Sequence, residues 1–590
     1  MARALAVHTP DGYSVMMIIP ISDLRVQNSK EQTWRLNFSR RIAATNTLLT
    51  WAYDDASVAY CGNNGGNPIS YCEATRWPSI QTIALASAAA RPAPYADIYA
   101  LGSTGSQRDI FETTPGNFTQ RQPRAIGIDA TIPITSTLAF VGALAPDFSN
   151  VEADQSTIAP QEFAIRYSEY RPFFAQGAQY ISGIPNFNVN RYQYSAFYSP
   201  AIGVFDTGYK LEGTAGRNAI GALTVRGPGV NDQVFGLSNS APDGSLSISG
   251  GGVFAHHDGV TDQVVGGGIS FTNLRTGFEP IASIAFERGT NVADPAQARD
   301  INVGFLSQHG TLQAGVVYRD IGPQYNPLDG YVTLNDVRGP QAFLVENFVG
   351  PKTSPIKTIQ LAYVTDRFLD RSGAVHAADT SVSAGVTLDN LFAFSVNGGA
   401  SELRSYDAVY PVYTNGQTNR FDQTGFAVGY KDGTPSATDA NYSYGPFALG
   451  CSGTQTQSLA CGSAPGGFVP AFVQQLDLMT ARTFGRGYGI SFEYGGTIER
   501  AARSPEDSQW LRRASLTRAF GSEGQLAVGL RSISGTGGYA APGVNLAVSY
   551  HQRFANASQL YFEYGTPAAN ATLHRIILKY VFHIGGGAGT

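Results

Sequence analysis

Charge is scarce in this chain. Of its 590 residues only 14% are Asp, Glu, Lys or Arg, where about a quarter is usual. The formal net charge of −5 argues against nucleic acid as a partner. Lys is rarest, with six against 34 Arg, which reflects genome composition rather than function. Long apolar runs are also missing. The longest, "IALASAAA" at 83–90, falls far short of the ~18 residues a spanning helix needs. A mean hydropathy of −0.11 likewise excludes a bundle of membrane helices. Only four cysteines occur, in two close pairs, Cys61/Cys72 and Cys451/Cys461. Neither pair has zinc-ligand spacing with a nearby His. Each brackets a polar, Gly-containing segment, so two local disulfides closing surface loops in an oxidising compartment are expected; four unrelated thiols are the alternative. No G-x-S-x-G, H-E-x-x-H or P-loop motif is present. No metal and no cofactor is expected. "HH" at 256–257, beside "DG", reads as a solvated turn.

What the chain has in plenty is Gly (67), Phe (33) and Tyr (30), set in strands that alternate with period two. In "HRIILKYVFHI", Ile576, Leu578, Tyr580, Phe582 and Ile584 share one face, and Arg575, Ile577, Lys579, Val581 and His583 the other. "SQLYFEYG", "VNLAVSYH" and "QLAVGLR" alternate likewise, separated by turn-rich pieces. The polar face mixes charge with Gly, Ala and Ser, as a wet lumen would. The apolar face carries Tyr or Phe towards strand ends, as an interfacial girdle would. The pattern continues through "LSISGGGVFAHH", "QVVGGGISF", "TLQAGVVYRD" and "YGISFEYGG". A sandwich seldom runs so long, whereas a membrane barrel must add strands until it closes. The expected fold is all-β: a large antiparallel transmembrane β-barrel in the bacterial outer membrane. At ~9–11 residues per spanning strand it would hold about 16–20 strands. Residues 403–420 and 432–468 lack alternation and read as long extracellular loops. The partners are outer-membrane lipid and a carbohydrate or other small solute.

One stretch stands apart. "ALAPDFSNVEADQSTIAPQEFAIRYSEYRPFFAQG" (143–177) packs Asp147, Glu152, Asp154, Glu162, Arg166, Glu169 and Arg171 among aromatic residues. A short helix is expected from about Pro160 to Ser168, with Pro172 beyond its end. Arg166 and Arg171 can pair with Glu162, Glu169 or the Asp147–Asp154 cluster, since buried carboxylates need such partners. The reading is an ion-pair network that holds residues 147–190 inside the barrel or across its periplasmic mouth. A carboxylate pair for glycoside hydrolysis is the catalytic alternative. It would make the chain a carbohydrate-processing outer-membrane protein, but no catalytic residue is assigned.

Two motifs carry a resemblance. "GYSVMMIIPISDLRVQNSKEQTWRLNFSRRI" resembles the last strands of a family-9-like carbohydrate-binding domain, with its G-W/Y-x-V-E-M-x-I-P strand followed by Q-x-W-x-x-N-F-x-R. "APDFSNVEAD" and "YSEYRPFFAQG" resemble N-P-D-F-S-Q-V-E-A-D and F-P-E-x-R-P-F-F-x-E-G of bacterial outer-membrane barrel proteins of unknown function that carry such a domain in the periplasm. The matches are Asp147, Phe148, Ser149, Val151, Glu152, Ala153, Asp154, Glu169, Arg171, Pro172, Phe173, Phe174 and Gly177. Departures are Met16 for the Glu of V-E-M, Gln176 for the second Glu of F-F-x-E-G, and the absence of most of the domain, so sugar binding does not carry over. The organisation this implies is a carbohydrate-binding-like remnant (1–83, periplasmic), a linker (84–94), first barrel strands (95–146), a plug-like segment (147–190), the barrel (191–584) and a tail (585–590). The start "MARALAVHTPDGYS" holds no export signal, because its apolar core is short and Asp11 follows soon after. A truncated N-terminus is the expectation.

Overall fold

A computed structural model describes residues 3–9, 12–19, 31–42, 47–52, 63–64, 67–68, 77–84, 92–105, 107–108, 118–119, 124–146, 158–160, 166–181, 183–189 and 191–585, apart from 242–243, 274, 310, 352, 405–417, 432–435, 451–467, 503, 522 and 568. Among the described residues the chain forms an all-β barrel, closed and antiparallel, with 24 strands. The first strand, Tyr95–Gly105, pairs with both Arg124–Pro133 and the last strand, Arg575–Gly585, so no edge remains. Closure is what permits the fold in hydrocarbon, where an unpaired edge has no water to turn to.

The strand number exceeds the expected 16 to 20. Tight turns such as 216–217, 228–229 and 258–259 pack strands more densely than allowed for. A second difference is Thr438–Gly450, which lies within the expected loop 432–468 yet is a barrel strand. Its inward positions, Asn441, Ser443 and Gly445, are small or polar, and Tyr442 and Tyr444 lie between them, so the run reads as loop by composition.

Alternation sets the two faces. On the last strand Ile576, Leu578, Tyr580, Phe582 and Ile584 are exposed on the outside, while Arg575, Ile577 and Val581 are buried inside. Phe271, Phe278, Phe348, Phe392, Phe484, Phe520 and Phe582 are exposed at or near strand ends on one rim, the place of an interfacial aromatic girdle. That rim holds Tyr95 and Gly585 and the short turns 216–217, 389–391 and 521–523. The other rim holds the long connections 106–123, 145–206, 322–336, 405–422 and 451–467. Long loops face the cell exterior and short turns the periplasm.

Among the described residues, 3–84 forms separate two-stranded ladders: Arg3–Thr9 with Gly12–Ile18, Glu31–Arg35 with Ser79–Ala84, Ser39–Ile42 with Thr47–Thr50, and Asn63–Asn64 with Asn67–Pro68. These ladders do not join into a sandwich sheet, so the carbohydrate-binding domain is not established.

Candidate functional site

The strand Leu138–Leu144 ends on the exterior rim, and the next, Thr207–Ala215, begins there. Ala145 N donates to Asp206 O at 2.7 Å, so the two ends of the intervening segment sit side by side. The segment enters from the exterior rim rather than across the periplasmic mouth, and it runs past residue 190 to the strand at Thr207. It folds inward. Phe173, Phe174, Ile181, Ile184, Tyr192, Tyr194, Ile202 and Phe205 are all buried, in one cluster with the inward wall residues Val141, Leu223, Val225, Val234, Val253 and Val264. Ile158, earlier in the same segment, packs against Leu511, Ile533 and Ala540 of a different part of the wall.

The wall makes room for this backbone with glycine. Gly221, Gly236, Gly251 and Gly266 lie opposite one another on four successive strands and face inward. A Cβ on Gly221 would sit 2.1 Å from Tyr180 O, and one on Gly236 2.4 Å from Ile181 O. A side chain there would push the segment off the wall.

The expected helix from Pro160 to Ser168 is not formed over Arg166–Ser168. A helix instead begins at Pro172 and runs to Ala175, with a second at Ala178–Ile181. Pro172 occupies the first turn, where its missing N–H is no loss. Gly177 (φ +67°) makes the bend between the two helices.

Arg171 is 4% exposed. Its Nε and Nη2 donate to the Glu169 carboxylate at 2.9 and 2.7 Å. Nη1 donates to Ile202 O at 2.7 Å and Gly203 O at 3.2 Å, and Nη2 also to Ser199 O. The guanidinium stacks over Phe174. Arg171 thus ties the segment to itself. Arg166 donates to Gln193 Oε1 and lies over the Tyr198 and Tyr331 rings. Asp147, Glu152, Asp154 and Glu162, with Cys61, Cys72, Cys451 and Cys461, lie outside the described residues.

The bonds to the wall come from residues the sequence did not single out. Lys210, fully buried, donates to Phe173 O at 2.7 Å and to Gln176 O, and pairs with Glu212 at 2.8 Å. A cation there meets the carbonyls that the short helix leaves free. Arg319 donates to Phe187 O at 2.9 Å and to Asn302, and stacks 4.2 Å from the Tyr194 ring. Arg191 pairs with Asp379 at 3.0 Å. No local pattern marks these residues, because their partners lie far away in sequence.

A second exterior connection, 322–336, also folds in. Tyr331–Val332 forms a short ladder with Tyr194–Ser195, and Thr333 exchanges hydrogen bonds with the Gln193 backbone. Wall carboxylates receive its amides: Glu287 from Asn326 N at 2.6 Å and Asp262 from Leu328 N at 2.8 Å. Tyr198 N donates to Asp329 O, joining the two insertions. His257 ends the strand Leu246–His257 rather than lying in a solvated turn. Its Nε2 is 3.0 Å from Asp232 and 3.1 Å from Asp329. Burial holds the Asp329 carboxyl above its ordinary range, at about 6, against the pull of the neighbouring imidazole.

No family model matches the sequence, and no curated protein is similar to it. Among solved structures the chain is similar to the siderophore receptor PirA from Pseudomonas aeruginosa, at 9% identity over 83% of this chain and 80% of that one (TM-score 0.44). It is also similar to the copper transporter OprC, at 12% over 83% and 80% (TM-score 0.40). A third is the FrpB iron transporter from Neisseria meningitidis, at 10% over 84% and 82% (TM-score 0.40).

Proposed function

We propose that this chain is an outer-membrane passage protein for a small solute, narrowed at rest by two inward-folded exterior connections. The observation that carries the reading is the segment 166–205, which packs Phe173, Phe174, Tyr192, Tyr194 and Phe205 on the inner wall and is held there by the buried cations Lys210 and Arg319. A segment with that much apolar surface needs a surface to cover, and burying the cations Lys210 and Arg319 is tolerable only with partners, several of which are carbonyls of this segment. Such an arrangement suits a gate better than a rigid pore wall. The polar inward residues beyond it, among them Lys579, Tyr561, Gln559 and His551, suit a hydrophilic solute. Osmotic swelling of proteoliposomes in a small neutral sugar tests this. The intact protein should pass sugar slowly and the Arg171→Ala variant faster. Fast swelling with the intact protein would remove the gate from the account.

A further inference from the structure

The exterior end of the lumen holds a cluster that the gate does not need. Asp232 and His257 come from adjacent wall strands and Asp329 from the inward connection 322–336. One donor atom of each lies within 4.8 Å of the others. Asp232 and Asp329 are 0% exposed. Asp232 accepts from His256 N at 3.0 Å and from the His257 ring. Neither oxygen of Asp329 has a hydrogen-bond partner, although His257 Nε2 is only 3.1 Å away. One imidazole N–H lies between the two fully buried carboxylates, so even a charged ring leaves one negative charge in excess. Beside it, the buried Asp262 accepts from Leu328 N, one residue before Asp329, and has an unpartnered oxygen of its own.

We infer that Asp232, His257 and Asp329 bind a divalent transition-metal ion, which joins the inward connection 322–336 to the barrel wall. Two buried carboxylates and a neutral imidazole leave a charge that a divalent cation cancels and a shared proton does not. The separations of 3.0 and 3.1 Å are a few tenths of an ångström short of the ~3.4 Å between donors of a tetrahedral ion ~2.1 Å from each, a difference that small side-chain shifts close. An imidazole donor favours zinc or a similar ion over calcium, which takes oxygen ligands. Three protein ligands leave room for water or a solute group in the remaining positions. The site is independent of the passage reading: a barrel that carried nothing would still bind the ion.

The test is zinc titration of the purified, detergent-solubilised full chain, with bound metal counted by mass spectrometry after gel filtration. The intact protein should retain one zinc per chain, and excess calcium should not displace it. Asp329→Asn and His257→Ala should each weaken binding by more than about tenfold, since even changes beyond the ligands cost that much. His256→Ala, altering a residue whose ring lies outside the cluster, should bind as the intact protein does. Variants are compared only where they keep heat-modifiable gel migration, the mark of a closed barrel. No retained zinc in the intact protein, or equal retention in a folded Asp329→Asn variant, would overturn the assignment.

Discussion

Arg171 shows how much one side chain can hold. It serves Glu169 and the carbonyls of Ser199, Ile202 and Gly203 while almost wholly buried. Arg171→Ala leaves a carboxylate without its partner, a change that costs about 3–5 kcal/mol when the pair is buried. The inward segment should then open to trypsin in detergent while the barrel stays closed. Arg171→Lys keeps the charge but loses the planar fork, so its cleavage rate should fall between the two. Identical rates for all three proteins would show that the ion pair holds nothing. Lys210 and Glu212 offer a complementary case. Lys210→Met alone removes the cation beside a fully buried carboxylate, which keeps the Gln176 amide as a donor. The double change Lys210→Met and Glu212→Met should restore part of the lost protease resistance, because paired apolar replacements avoid the stranded charge. The sequence made Arg171 and Glu169 legible because they stand two residues apart in a motif. Lys210, Arg319 and Asp329 were not legible, because each meets its partners across the lumen.

At the level of elements, the strands announced themselves by alternation, and for a physical reason. Each faces lipid on one side and the lumen on the other, so apolar and small or polar residues must take turns. Thr438–Gly450 escaped because its outward tyrosines are amphipathic, and the extra strands because tight turns such as 228–229 leave little punctuation. The connection 322–336 also escaped, since nothing local distinguishes an inward loop from an outward one. The glycines in "SGGGVF" and "VVGGGIS" were visible but unexplained. Gly251 belongs to the inward row on which Tyr180, Ile181 and Gly183 rest, and Gly266 continues that row on the next strand. Gly236→Leu should therefore push that backbone away and raise sugar flux in the swelling assay. At Gly398 a new Cβ meets nothing within 4 Å, and Gly398→Leu should leave flux unchanged. Equal flux in the two variants would detach the glycine row from the gate.

For the whole molecule, closure in lipid demands that the outward face stay apolar. Leu578, towards the middle of the last strand, is 52% exposed on that face, while Lys579 points inward beside Tyr99 and Tyr561. A charge on the lipid face costs about 2–4 kcal/mol at the bilayer midplane. Leu578→Arg should reduce the heat-modifiable fraction of protein far more than Lys579→Ala. A reversed order would contradict the assigned faces. The central claim is that the insertion between Ala145 and Asp206 keeps the lumen narrow. Because Ala145 N bonds directly to Asp206 O, residues 146–205 can be replaced by a short Gly–Ser link without disturbing the ladder beside them. Single-channel recording in planar bilayers then compares the intact and shortened chains. The account predicts small or rare openings for the intact chain and steady, several-fold larger conductance for the shortened one. Steady, porin-sized conductance in the intact chain, unchanged by the deletion, would contradict it.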